Sequence, residues 1–174
     1  MKPPAPHRSR LSRRAFLLTA GALTAVAAGL TAGQRSRGYA LPASLAGKLQ
    51  VLRPADALVM LAAARRLLPP GAEPDVVAMD GALARLATWQ QSDLRTMLRY
   101  LEQLAPLSLG LASRFSHQAA ADQDRILAAL EASRFDALRA GFQGLKGLAF
   151  MSHYRRPDTW RALGYSGPTV QRSP

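Results

Sequence analysis

From Arg53 onward, apolar residues recur at spacings of three and four, and runs that alternate apolar with polar residues are scarce. That spacing stacks side chains along one face of a helix, whereas a half-buried strand needs a period of two. The pattern restricts the chain to an all-α fold, a compact bundle of about five helices with an irregular C-terminal tail. Helices of this length are marginal alone, so packing of their apolar faces must supply most of the stability.

Prolines, glycines and capping residues cut the pattern into pieces. A first helix is predicted from Pro54, with Asp56 near the positive end of the dipole and Arg65 and Arg66 near the negative end. Its apolar stripe is Leu58, Leu61, Ala62 and Leu68, and Pro69-Pro70-Gly71 ends it. A second helix is expected over about Asp75–Trp89, with Val76, Met79, Leu83 and Leu86 on one face. Ser92 is placed to cap a third, which buries Met97, Leu98, Leu101 and Leu104 and is broken by Pro106. A short helix fits Leu107–Phe115, and a longer one fits Ala119–Ala132 with Ile126, Leu127 and Leu130 inside. Ser133 and Asp136 have capping-box spacing. They open a long helix from about Arg134 to His153, whose apolar side carries Phe135, Leu138, Phe142, Leu145, Leu148 and Phe150. Pro157–Pro174 reads as a turn or short helix around Trp160, then the tail.

The N-terminus has a different logic. Ser12-Arg13-Arg14-Ala15-Phe16-Leu17-Leu18 sets two arginines ahead of an apolar run, and Lys2, Arg8 and Arg10 precede it without any acid. This is the layout of a twin-arginine export signal, an address read by a receptor. The run Phe16–Ala32 has 17 residues; at ~1.5 Å per residue it spans ~25 Å, short of the ~30 Å bilayer core. Ala25-Val26-Ala27 and Gly38-Tyr39-Ala40 both resemble small-residue cleavage sites. An ordinary secretory signal and an uncleaved anchor are the competing readings. The expected organisation is signal and start of linker over 1–40, linker over 41–52, and a helical domain over 53–174.

The formal charge of +12 is concentrated in the signal. Residues 1–37 hold seven of the 23 basic residues and none of the 11 acids, so the remainder is 16 basic against 11 acidic, a net +5. Those bases are scattered, and no cluster is interleaved with aromatics, so no nucleic-acid partner is expected. The chain has no cysteine. Disulfides, thiolate zinc sites, iron–sulfur ligation and covalent c-type haem attachment within it are therefore excluded.

Candidate chemistry is sparse. His7 lies in the signal, and His117 and His153 are far apart with no metal-ligand spacing, so no metal is expected. Asp122 and Asp124 lie near a helix start, where dipole complementarity or an acid/base pair would account for them. No serine is framed as a nucleophile, and no catalytic or cofactor-binding residues are assigned. Gly141, Gly144 and Gly147 recur every three residues inside a helix, at roughly 1 kcal/mol each relative to alanine. They imply close approach of another backbone, either within the domain or from a partner subunit. The final segment concentrates Tyr154, Arg155, Arg156, Trp160, Arg161 and Tyr165, residue types that anchor interfaces. Its arginines would also suit a substrate carboxylate if the chain were an enzyme.

Taken in order, these segments resemble the gluconate 2-dehydrogenase subunit 3 family. The resemblance is carried by the signal Ser12–Leu18 and by Ala57–Pro70, a helix ending in Arg66-Leu67-Leu68-Pro69 and followed by the region of Gly71 and Asp80. It is carried most by the long helix through Phe135 and Phe142 into Tyr154, then Pro157, Trp160 and Leu163-Gly164-Tyr165-Ser166-Gly167-Pro168. It covers roughly residues 50–168; the lack of cysteine and the Ala-rich middle depart from many relatives. The resemblance implies a non-catalytic small subunit without its own cofactor. Its partner would be a large FAD subunit of the glucose-methanol-choline type, often with a cytochrome c subunit. The small subunit would help the flavoprotein fold and carry the export signal, through Ser12, Arg13, Arg14, Phe16 and Leu17, to the twin-arginine translocase. The complex would reside in the periplasm or at the inner membrane and oxidise a sugar, alcohol or sugar acid. The expected interface is Gly141, Gly144, Gly147, Tyr154, Trp160, Leu163, Gly164, Tyr165, Gly167 and Pro168. The alternative is an independent periplasmic helical protein tethered by its uncleaved signal.

Overall fold

The computed structural model describes residues 39–160 and 163–166, so Ser12, Arg13, Arg14, Phe16 and Leu17, expected to form an export signal, lie outside the described residues, as do Gly167 and Pro168. The described regular structure is entirely helical. The helices are α1 (Pro54–Leu67), α2 (Val76–Leu83), α3 (Thr88–Ser108), α4 (Ala120–Glu131), α5 (Asp136–Tyr154) and α6 (Pro157–Trp160), with a 3-10 turn at Phe115–His117 before α4.

Helix α1 is central, touching α2, α3, the 3-10 turn, α4 and α5. Its composition explains the position. Of the predicted stripe, Leu68 is buried, while Leu58, Leu61 and Ala62 are only half-buried. The fully buried line is Ala57, Met60, Ala63 and Ala64. Alanines carry little bulk and so let several helices pack on α1 at once. Leu61 and Ala62 pack against the core while remaining partly exposed. Phe115 and Phe142 are the largest fully buried side chains of the core.

The second and third helices differ from expectation. Helix α2 ends at Leu83, and Leu86 and Trp89 are exposed rather than extending its buried face. Helix α3 starts at Thr88, where the Gln90 side chain accepts the Ala87 N–H at 3.1 Å, so Gln90 rather than Ser92 organises the start. Pro106 does not break the helix. It sits in the last turn, where its missing N–H removes one ladder bond to the Glu102 carbonyl. The stop comes at Gly110 (φ +75°). Leu111 N–H reaches the Pro106 carbonyl and Gly110 N–H the Leu107 carbonyl, both at 3.0 Å. This is a Schellman cap; it replaces the helix expected over Leu107–Phe115 and leaves Leu104 exposed.

Helices α4 and α5 lie where the period puts them. Ile126, Leu127 and Leu130 are buried in α4, and Phe142, Leu145 and Ala149 in α5. The capping box does not form: the Ser133 hydroxyl accepts the Phe135 N–H, and the Asp136 carboxylate pairs with Arg139. Phe135 is exposed, with the Arg134 guanidinium 4.9 Å over its ring.

Residues 39–52, expected as the end of a linker, are irregular but docked as a strap. Leu45 and Leu52 are buried in the core, and Leu41, Leu49 and Val51 pack against it. Asp80 of α2, fully buried, accepts the N–H groups of Gln50, Val51 (3.1 Å) and Leu52 (2.7 Å). A buried carboxylate is tolerated because these amides replace its water.

Candidate functional site

The stretch from Leu86 to Trp89 that fails to extend α2 forms one end of an apolar groove between α3 and α5. Small residues on α5, Ala137, Ala140, Gly141 and Gly144, keep its floor low. Helix α3 supplies Leu94, Met97 and Tyr100 from the facing side. The groove has a volume of about 590 Å³. Trp89 at its mouth is 66% exposed and Leu86 42%.

The three glycines divide between the two readings of their spacing. A Cβ on Gly141 would lie 2.9 Å from both Cγ and Sδ of Met97, so its absence serves the α3–α5 contact within the domain. A Cβ on Gly144 or Gly147 would meet no atom within 4 Å. Nothing in the described chain uses the closeness that those two positions permit.

The C-terminal segment folds onto the end of α5. The Trp160 indole N–H donates to the Tyr154 carbonyl at 2.7 Å, and its ring meets Tyr165 edge-on at 5.4 Å. Tyr154 in turn lies edge-on to Phe150 and His153, at 6.1 and 4.8 Å. Tyr154 and Trp160 therefore do internal packing, while Leu163 (59%) and Tyr165 (48%) remain exposed around Gly164, whose φ is +68°. Arg156 pairs with Asp158.

A buried polar clasp joins the strap to the bundle, and the sequence reading did not anticipate it. Glu102 of α3 is 2% exposed and Arg114 is 6%. Arg114 Nε lies 3.5 Å from Glu102 Oε1. Glu102 also accepts the Ser116 N–H at 3.0 Å, the Ser116 hydroxyl at 2.7 Å and the Tyr39 hydroxyl at 3.3 Å. The Arg114 guanidinium sits 4.3 Å over the Tyr39 ring, and its terminal nitrogen is 2.6 Å from His117 Nε2. Arginine only donates, so that histidine nitrogen is the acceptor. Burial, and then the negative Glu102, push the Tyr39 phenol above its ordinary value and keep it a donor. Partners on several sides are what a buried ion pair needs to offset its desolvation.

The candidate acid pair does not converge. Asp122 bonds to Arg125 at 3.0 Å, while Asp124 forms a two-pronged pair with Arg66 of α1 at 2.8 and 2.7 Å. Asp56, expected as a dipole partner, is buried, and its Oδ2 has no hydrogen-bond partner. Among the described residues there is no cluster of three or more potential metal ligands. No described helix is long and apolar enough to cross a membrane. No protein-family model matches the chain, and neither does any curated protein or solved structure.

Proposed function

We propose that this chain is the non-catalytic small subunit of an exported flavin-dependent dehydrogenase acting on a sugar, alcohol or sugar acid. In this role it binds the FAD-carrying catalytic subunit in the cytoplasm, assists its folding, and supplies Arg13 and Arg14 as the export signal for the complex. The observation that carries the reading is the α3–α5 groove, with Trp89 and Leu86 exposed at its mouth and Gly144 open on its floor. A partner's apolar side chains would bury those aromatic and aliphatic surfaces, and the missing Cβ would admit its backbone closely. The exposed Leu163 and Tyr165 offer a second contact. A complex that crosses a membrane folded needs a large, partly apolar interface.

The test is purification of the tagged full-length chain from its native host, with absorption spectroscopy and mass spectrometry of what accompanies it. The expected result is a larger protein with flavin bands at fixed stoichiometry. A colourless monomer would remove the subunit reading and leave an independent helical protein, tethered or free.

A further inference from the structure

The shape and charge of the α3–α5 groove narrow what fits it. The lining runs from Trp89 to Tyr100 on α3 and from Ala137 to Leu148 on α5. Each stretch rises ~16 Å, about three helical turns. Both walls are helices, so no free edge offers an extended segment its main-chain bonds. A helix brings its own backbone bonds and needs only an apolar face. The α5 wall suits one. Ala137, Ala140 and Gly144 are exposed at spacings of three and four, and Gly144 has no Cβ to hold a third helix away.

Asp93 supplies the charge. It is the only charged residue of the lining, and among the described residues its carboxylate has no hydrogen-bond or ion-pair partner. The other exposed aspartates are engaged: Asp124, Asp136 and Asp158 each meet an arginine, and Asp75 caps α2. A cation brought by the occupant would complete Asp93. A second copy docked groove to groove would instead set two hollows and two like charges against each other.

We propose that the groove receives one amphipathic helix of the FAD-carrying catalytic subunit, about three turns long, with its apolar face on α5 and a lysine or arginine paired with Asp93. This rests on the subunit reading and names the element and the charge through which that partner is held.

The experiment places a benzophenone photo-crosslinking amino acid at Thr96, at Ala140 or, as a control, at Tyr165 of the full-length chain in its native host. Crosslinked peptides are mapped by mass spectrometry. Thr96 and Ala140 should both reach one short stretch of the flavoprotein, at positions three or four apart that flank a lysine or arginine. A flavoprotein reached only from Tyr165 overturns the groove assignment and leaves the subunit reading standing. Crosslinks from the groove to a second copy or to lipid overturn it as well. If no flavoprotein accompanies the chain, the subunit reading fails and takes this proposal with it. Asp93→Arg has no internal partner to lose, so its melting temperature should match the wild type. Its capture of the flavoprotein should fall by about tenfold or more, because like charges then meet. Changing the mapped basic residue to glutamate should restore capture. Undiminished capture by D93R, or no restoration, overturns the pairing.

Discussion

Gly141 of α5 lies so close to Met97 of α3 that an added Cβ would sit 2.9 Å from the thioether sulfur, while three residues on, at Gly144, the same atom would touch nothing. One glycine is consumed by the fold and the next is left open. The two positions should therefore respond oppositely to alanine. Gly144→Ala gains helix propensity, up to about 1 kcal/mol, and should raise the melting temperature. Gly141→Ala has the same gain but overpacks Met97 by roughly 1–3 kcal/mol, so it should be neutral to destabilising. Thermal unfolding of both variants checks the pair. If Gly144 also admits the partner's backbone, G144A should weaken capture of the flavoprotein while stabilising the chain itself.

Replacing Glu102 by glutamine removes the carboxylate that lies 3.5 Å from the buried Arg114 guanidinium. Removing one member of such a pair typically costs about 3–5 kcal/mol. Urea denaturation of E102Q should show a loss of that order, well beyond that of a surface carboxylate.

Asp80→Ala strands the N–H groups of Gln50, Val51 and Leu52, and Leu52 is buried. Unpaired buried donors are worth about 1–3 kcal/mol each. A drop of at least about 2 kcal/mol is expected, together with faster amide exchange confined first to the strap.

The Arg66–Asp124 pair sets a small pH dependence. Hydrogen bonding to Arg66 holds the Asp124 carboxyl below its ordinary value of 3.8. A depressed acid contributes stability that is fully present above its unfolded value and is lost as pH falls through the folded value. Arg66→Ala should therefore lower the melting temperature slightly at neutral pH, and the difference should vanish on acidification below 3.8. Both groups are substantially exposed, so salt should shrink the effect.

The helical class, the start of α1 and the extents of α4 and α5 were legible because each rests on a local signal: period, a first-turn proline, a buried leucine face. The α2–α3 boundary was not, since Leu86 and Trp89 continue an apolar spacing that the fold leaves open to solvent. The strap did carry a signal, as Leu41, Leu45, Leu49 and Leu52 recur at intervals of four and three. Gly110 likewise marked the end of α3. The clasp had none. Tyr39 and Glu102 are 63 residues apart, and no local pattern links them. The glycine stripe was visible, but its division between Met97 and open space depends on where α3 crosses α5.

The escort role proposed for this chain is tested most directly by where a co-purifying flavoprotein resides when Arg13→Lys and Arg14→Lys are introduced together. Fractionation should find the flavoprotein, still folded and flavin-bound, retained in the cytoplasm with the variant chain. A flavoprotein that reaches the periplasm undiminished would contradict the escort role.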